Sequence, residues 1–377
     1  MAVTTMQVPF GDLRRQAEAL GSELSAALLR VAANGWYVLG AEVRAFEEEF
    51  AAFCGAAHCV GVASGFDALY LALAALDVGP GDEVVTVANA TCYQVAAIVQ
   101  TGAQPVLVEV EPHSQNLDPS QLAAAIGPRT KAIMVVHLYG LLADMPAIMA
   151  IAEAHSLPVV EDAAQAHGAS LMYAGQSRRA GAWGQIACFS FYPSKNLGAL
   201  GDGGALTTSD LALAERLRRL RFYGWGEKYV VIDKGGRNSR LDEIQAAVLR
   251  VKLGHLAAWN TARRAWAAWY AEGLAGLPIE LPPDDPSHVY HLYVIASEQR
   301  DALRQHLRAA GVATDIHFPV PAHLQPAYAG LGYGPGSLPI TEGLAGRILS
   351  LPLFPELTRT EIDYVIAVTR AFFISHP

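Results

Sequence analysis

From residue 58 onward, short apolar runs alternate with longer segments whose apolar residues recur every three or four positions. The first pattern predicts strands buried on both faces, and the second predicts amphipathic helices. Strands are expected at 59–63, 83–87, 105–110, 131–136, 157–160 and 186–191. Helices are expected between them, at 65–76, 92–101, 119–126 and 145–155. Strands alternating with helices at this spacing predict an α/β fold with a mostly parallel sheet. Ahead of this unit, 13–33 and 42–54 read as helices, the second with Val43, Phe46 and Phe50 on one face. Beyond it, 211–220 reads as a helix. A long helix is then expected from 238–243 through Leu253, with Asn238 or Ser239 as its N-cap. A further helix is expected over 255–275, where Trp259, Trp266 and Trp269 recur at core spacing. The proline-rich 277–286 marks a connection. After it, a strand at 290–296, a helix at 300–310, a strand ending at Phe318 and a closing helix at 360–373 read as a smaller α+β unit. The expected division is a large domain over 1–255 and a small one over 256–377, with the arm 1–35 a candidate to pack on the small domain.

In a parallel sheet, ligands sit beyond the carboxyl ends of the strands. Three stretches fall at such ends. Ser64-Gly65-Phe66-Asp67 joins a strand to a helix, and the free N–H groups of a first turn suit an anion. An ordinary capped helix gives the same pattern. Asp162 follows the strand residues Val159 and Val160 and can point into the crevice, with Gln165 one helical turn on. Asp162 as a helix cap is the alternative. His167 reads as a structural hydrogen-bonding group, because no partner stands at metal-ligand spacing.

The third stretch, 188–205, delivers Lys195 from an apolar strand into a glycine-rich turn, with Ser190 five residues earlier. Lysine among apolar residues acquires a lowered pKa and attacks carbonyls. A solvated loop lysine beside turn glycines is the alternative. Together the stretches offer a phosphate-type turn, a hydroxyl, a carboxylate and an amine. Pyridoxal phosphate needs those partners for its phosphate, its ring nitrogen and its aldehyde.

Composition narrows this picture. Of 377 residues, 52% are hydrophobic and 17% charged, which predicts a large core and excludes a disordered chain. The net charge of −9 argues against nucleic acid and anionic membrane as partners. Cys54, Cys59, Cys92 and Cys188 form no CxxC pair, so neither a zinc site nor a disulfide framework is expected. With no signal-peptide pattern and no apolar run of membrane-spanning length, a soluble cytoplasmic protein is expected. Against the acidic balance, 216–240 holds eight Arg and Lys residues and two acids. Lys228, Arg237 and Arg240 lie there among glycines and suit an anionic substrate.

Three motifs carry a family resemblance: Glu161-Asp162-Ala163-Ala164-Gln165-Ala166-His167-Gly168, the stretch 189–205, and Asn238-Ser239-Arg240-Leu241-Asp242-Glu243-Ile244-Gln245-Ala246. They resemble the DegT/StrS-type nucleotide-sugar aminotransferases, which are fold-type I pyridoxal phosphate enzymes. The resemblance runs from Pro9-Phe10 to the last helix. It implies a mostly parallel seven-stranded sheet flanked by helices and a small C-terminal α+β domain. It implies that Lys195 forms the Schiff base and later carries the proton, that Asp162 pairs with the ring nitrogen and that Gln165 meets the ring hydroxyl. Gly65 and Phe66 would supply backbone donors to the phosphate, and Ser190 a hydroxyl. Asn238 would reach the phosphate of a partner subunit, which implies a homodimer with shared active sites. Tyr93, in the region 89–93, is the candidate to cover the ring. Lys228, Tyr229 or Arg237 would meet the substrate diphosphate.

Two departures from the family pattern stand out. Phe66 replaces a usual threonine, and 230–232 lacks a histidine found in relatives. Gly201-Asp202-Gly203-Gly204 resembles the branch acting on 3-keto sugars. The expected activity is transfer of an amino group from L-glutamate to C3 of a dTDP-linked 3-oxo-6-deoxyhexose. The alternatives are a C4 transaminase and a silent regulatory homologue.

Overall fold

The computed structural model describes residues 6–90 and 92–376. Its strands up to residue 208 are β1 (His58–Val62), β2 (Glu83–Val87), β3 (Gln104–Val108), β4 (Thr130–Val136), β5 (Val159–Asp162), β6 (Ser170–Tyr173), β7 (Gln176–Arg179), β8 (Ile186–Ser190) and β9 (Gly204–Thr208). Seven of them form one sheet in the order β1-β9-β8-β5-β4-β2-β3. From β8 to β3 every neighbouring pair is parallel, and β9 runs antiparallel to both β1 and β8. β9 was not anticipated, because Gly203 and Gly204 mask its apolar continuation. β6 and β7 form a separate hairpin, turned at Ala174 and Gly175, both with positive φ.

Helices cover both faces, so the strands alternate between two cores. Val60 and Val62, with Ile186 and Cys188, pack toward α4 (Gly65–Ala75), α5 (Tyr93–Thr101) and α8 (Leu211–Leu220). The alternate residues Cys59, Ala187 and Phe189 pack with Phe46 and Phe50 of α3 (Ala41–Cys54). α6 (Pro119–Ala125) and α7 (Met145–Ala154) continue this second face with Leu122, Met145 and Ile148. The expected helix 13–33 is two helices, α1 (Leu13–Ala19) and α2 (Gly21–Asn34), broken at Leu20.

The pair of helices expected at 238–253 and 255–275 is one helix, α9 (Glu243–Leu274). Gly254 weakens a helix locally by about 1 kcal/mol, but packing on both sides outweighs it. Leu249 and Leu256 bury into the core beneath the sheet, and Ala267, Tyr270 and Leu274 bury into the C-terminal core. The boundary between 255 and 256 therefore falls inside a continuous helix. The N-cap is Asp242, not Asn238 or Ser239. The first residue of α9, Glu243, does a second job. Its buried carboxylate accepts from the N–H groups of Gly40 (2.7 Å), Glu42 (2.9 Å) and Val43 (2.9 Å), capping α3 from a distant part of the chain.

After the small hairpin β10 (Trp225–Glu227) and β11 (Val230–Val231), the C-terminal part comprises β12 (Tyr293–Ala296) paired with β13 (Ile348–Leu351), and α10 (Arg300–Ala309), α11 (Pro339–Arg347) and α12 (Arg359–Ser375). The strand expected from Tyr290 starts only at Tyr293, because Tyr290 takes a left-handed φ of 44°. The strand expected to end at Phe318 is reduced to isolated bridges, Val312 with Val8 and Asp315 with Ser350. Within the N-terminal arm, Val8 bridges Val312, Phe10 stacks on His317 at 5.5 Å, and Arg15 pairs with Glu361 at 2.7 Å. Residues 1–5, Thr91 and Pro377 lie outside the described residues, and with them parts of the stretches 1–35, 89–93 and 256–377.

Phe50 ties α3 to the strand that leads to Lys195, with ring contacts to Phe189 at 4.9 Å and Phe191 at 5.4 Å. Phe50→Ala should lower unfolding free energy by about 3–5 kcal/mol in a denaturant titration. A loss below about 1 kcal/mol would show that this aromatic cluster does not anchor the sheet.

Candidate active site

Each functional side chain follows from where a strand stops. β8 stops at Ser190 because the chain leaves the sheet there. Phe191 N–H donates to Gly203 O at 2.8 Å, and Ala199 N–H returns to Phe191 O at 2.8 Å, closing a loop over 191–203. Lys195 N–H donates to Tyr192 O at 2.8 Å in a tight turn. Gly198 completes this turn, since a Cβ there would lie 2.3 Å from Pro193 O.

Next to β8, β5 stops at Asp162, which is in register with Cys188. The following residues form successive tight turns, with Ala166 N–H to Ala163 O and Ala169 N–H to Ala166 O, rather than the helical turn considered from sequence. Gln165 is buried among these turns. Its Oε1 accepts from Tyr139 N–H at 2.6 Å, which leaves the amide nitrogen to face elsewhere.

At the end of β1, Ser64 Oγ caps α4 by accepting from Asp67 N–H at 3.1 Å. The Gly65 and Phe66 N–H groups have no partner among the described residues. Gly65 is required by its neighbour, because a Cβ would lie 2.5 Å from Ser190 Cβ. The helix N-terminus thus sits directly on the end of β8. Ser64 caps the helix as the capping reading has it, and two N–H groups of the first turn stay unbonded among the described residues.

Ser64, Gly65, Phe66, Tyr93, Asp162, Ser190 and Lys195 line one cavity of about 240 Å³. Burial lowers the Lys195 ammonium to about 8, against the opposing pull of Asp162. Burial raises the Asp162 carboxyl, opposed by Ala164 N–H and by the charges of Lys195 and His137. One Asp162 oxygen accepts from Ala164 N–H at 3.2 Å, and the side chain opens onto the cavity, with no further hydrogen bond to it among the described residues. A buried carboxylate with one hydrogen bond calls for a cation or a further donor. A protonated pyridine nitrogen supplies one. Pyridoxal phosphate fits this set: a carboxylate open to the cavity, two free N–H groups beside a hydroxyl, and an amine held near neutrality.

Tyr192 and Asp202 also line the cavity. The signal for Tyr192 was its place three residues before Lys195. His137 was missed as well. It pairs with Glu161 at 3.1 Å, and Glu161 accepts from the N–H groups of Gly181, Trp183 and Gly184, which stiffens the strand carrying Asp162. No sequence pattern announces a contact made across strands. His167 is buried against Phe189 and Phe191 and lowered to about 3, chiefly by burial, so it stays neutral.

Of the residues singled out from sequence, Gln165, Lys228, Tyr229, Arg237, Asn238 and Arg240 are not among those lining this cavity. Lys228 and Tyr229 lie on the exposed β10–β11 hairpin, with Lys228 Nζ 5.1 Å from the Tyr229 ring. Asn238 is exposed. Arg237 donates to Asp67 at 2.7 Å and stacks on Tyr70 at 3.5 Å.

Residues 18–370 match the DegT/DnrJ/EryC1/StrS aminotransferase family. The chain belongs to this family. It is 52% identical over 371 residues to the dTDP-3-amino-3,4,6-trideoxy-alpha-D-glucose transaminase of Streptomyces venezuelae, covering 97% of this chain and 96% of that one. The crystal structure of DesV from S. venezuelae, in complex with a ketimine intermediate, matches with a TM-score of 0.93 at 52% identity over 98% of this chain and 99% of that one. NtdA from Bacillus subtilis, crystallised with the bound cofactor PMP, matches with a TM-score of 0.91 at 31% identity over 98% of this chain and 85% of that one. The family member described here is a pyridoxal phosphate-dependent nucleotide-sugar aminotransferase with the fold-type I architecture. Among its described residues no helix is long and apolar enough to cross a membrane.

The free amine is the nucleophilic form of lysine, so its reactivity rises with pH through its pKa. Uptake of pyridoxal phosphate by the apoprotein, followed by visible absorbance, should accelerate with a midpoint near pH 8. A midpoint at the usual lysine value of about 10.4 would show that burial does not tune this amine.

Proposed function

We propose that this aminotransferase moves an amino group from L-glutamate to C3 of a dTDP-linked 3-oxo-6-deoxyhexose, with Lys195 and Asp162 as its catalytic residues. The observation that carries the site assignment is that Asp162, with one hydrogen bond from Ala164 N–H, lines the same cavity as Lys195. The sugar assignment is supported by the S. venezuelae relative, whose name specifies a dTDP-3-amino sugar.

When bound, the cofactor supplies an aldehyde for the amine and a ring that takes up electrons. Asp162 keeps the ring nitrogen protonated, which strengthens that uptake. Lys195 Nζ, uncharged in an appreciable fraction near neutral pH, takes the proton from the donor α-carbon and, in the second half of the cycle, gives one to C3 of the sugar. Gln165 has its oxygen fixed by Tyr139 N–H, so its amide N–H groups are left to donate to the ring hydroxyl. The Gly65 and Phe66 N–H groups and Ser190 Oγ hold the phosphate at the α4 N-terminus. Tyr93 stands at the cavity wall and covers the ring.

Asn238, Lys228 and Tyr229 act in the cavity of a second copy, which makes the enzyme a homodimer with shared sites. Exposed apolar side chains support this reading: Trp36, Tyr37 and Val38 beside the start of α9, Leu200, and Val230 to Ile232 on the hairpin. Lys228 forms no ion pair among the described residues, whereas Arg237 is already paired with Asp67. That contrast favours Lys228 for the substrate diphosphate. A substrate activated by a nucleotide also places the reaction in the cytoplasm.

Removing a buried ionic partner costs about 3–5 kcal/mol, and each tenfold in rate is about 1.4 kcal/mol. Asp162→Ala should therefore slow transamination by roughly two to four orders of magnitude, and near-normal turnover would refute its role. Lys195→Ala should lose the visible absorbance of the cofactor–lysine adduct; retained absorbance would point to another lysine. Amine transfer from glutamate to a panel of 3- and 4-keto nucleotide sugars, with the product position read by NMR, tests the regiochemistry. Product at C4 would establish the alternative transaminase. Absence of the glutamate half-reaction would establish a silent homologue.

A further inference from the structure

The loop carrying Lys195 and the loop carrying Asp162 and Gln165 meet at the rings of Phe191 and His167, 5.8 Å apart. Both are held by one side chain of α9. Asn260 is buried, and its Nδ2 donates to His167 O at 2.8 Å, on the Asp162 loop. Its Oδ1 accepts from Asn196 Nδ2 at 2.9 Å, and Asn196 is the residue next to Lys195.

The direction of this relay is forced. His167 O is a carbonyl and can only accept, so the amide nitrogen of Asn260 must face it and the oxygen must face Asn196. Asn196 must then present its nitrogen. The second partner of that nitrogen agrees, because Val289 O, at 3.1 Å, is also a carbonyl. The Asn196 oxygen is left to accept, at 3.1 Å, from His291 Nδ1. Burial keeps His291 neutral, so its Nδ1 carries the ring proton and its Nε2 is an acceptor. His291 and Lys195 line a second cavity of about 360 Å³, on the side of the C-terminal part. One turn along α9, Arg263 donates to Tyr290 O, His291 O and Leu353 O, tying the same segment to the helix.

We infer that Asn260 is a positioning residue of the transamination site: through its two hydrogen bonds, and through Asn196, it fixes Lys195 relative to Asp162 and sets the tautomer of His291. The inference rests on the reading of Lys195 and Asp162 as the reacting groups. Leucine at 260 fills a similar volume and makes neither bond. Without them the lysine loop keeps its own turn, the Asn196 bonds to Val289 O and His291, the bond from Leu200 N–H to Gln245 Oε1 at 2.9 Å, and Lys252 Nζ, which donates to Gly198 O at 2.7 Å.

The test uses holoenzyme and reads the pH midpoint of the cofactor absorbance, kcat with KM, and Tm. Tyr270→Phe is the control. It removes a buried hydrogen bond of the same helix, from Tyr270 Oη to Pro352 O at 3.0 Å, and touches neither loop. Asn260→Leu should shift the pH midpoint of the resting cofactor absorbance by about half a unit or more. It should also lower kcat about tenfold, with the KM for keto sugar changed less than about threefold. Asn196→Ala should reproduce these changes, and the double variant should be no more than about threefold worse than either single one, because both break one chain of bonds. Tyr270→Phe should lower Tm without moving the midpoint or kcat. The inference is overturned if Asn260→Leu behaves like Tyr270→Phe, or if the effects of Asn260→Leu and Asn196→Ala multiply. Should Asn260→Leu fail to fold, Asn196→Ala decides by the same midpoint and kcat. Retained cofactor absorbance in Lys195→Ala overturns the underlying site reading instead, so the two failures are distinguishable.

Discussion

An amine and a carboxylate share one cavity, and desolvation there shifts both of them. Neither Lys195 nor Asp162 is in the environment water would give it. The same desolvation lowers the ammonium and raises the carboxyl, and their mutual attraction opposes both shifts. The outcome is an amine free enough to react and a carboxylate short of a partner. Under the proposed function, a protonated ring nitrogen would be the cation that Asp162 meets in this cavity.

Two adjacent strands bring this about. β5 and β8 lie side by side in the sheet, and β8 runs two residues past the end of β5, with Asp162 in register with Cys188. The parallel arrangement places both exits at one edge, where the α4 N-terminus also arrives on Ser190. Buried valines and alanines on both sheet faces fix the register, because a slip of one residue would exchange the two cores. The geometry of the site is thus inherited from packing several layers away from the reacting atoms.

α9 is the second organising element. It caps α3 with Glu243, holds the Lys195 loop through Lys252 and Asn260, and grips the C-terminal segment with Arg263. A helix of 32 residues is rigid enough to relate the sheet to the C-terminal part. Interrupting it at Gly254, as local propensity suggested, would separate those anchors. Propensity at one glycine is worth about 1 kcal/mol, less than burying two or three leucine-sized side chains.

What the sequence determined by itself was local or periodic. Apolar spacing announced the alternating strands and helices, because burial on a sheet imposes it. The positions of Lys195, Asp162, Ser190 and the Ser64–Asp67 turn followed from the ends of those runs. Tertiary structure decided what depends on distant partners. It extended α9 across the expected break, inserted β9 antiparallel behind a glycine run, capped α3 from residue 243, and engaged Arg237 with Asp67. It also brought Asn260 between two loops that lie 93 and 64 residues away along the chain. No local pattern encodes such pairings, since a buried amide looks the same in sequence whether or not a carbonyl meets it.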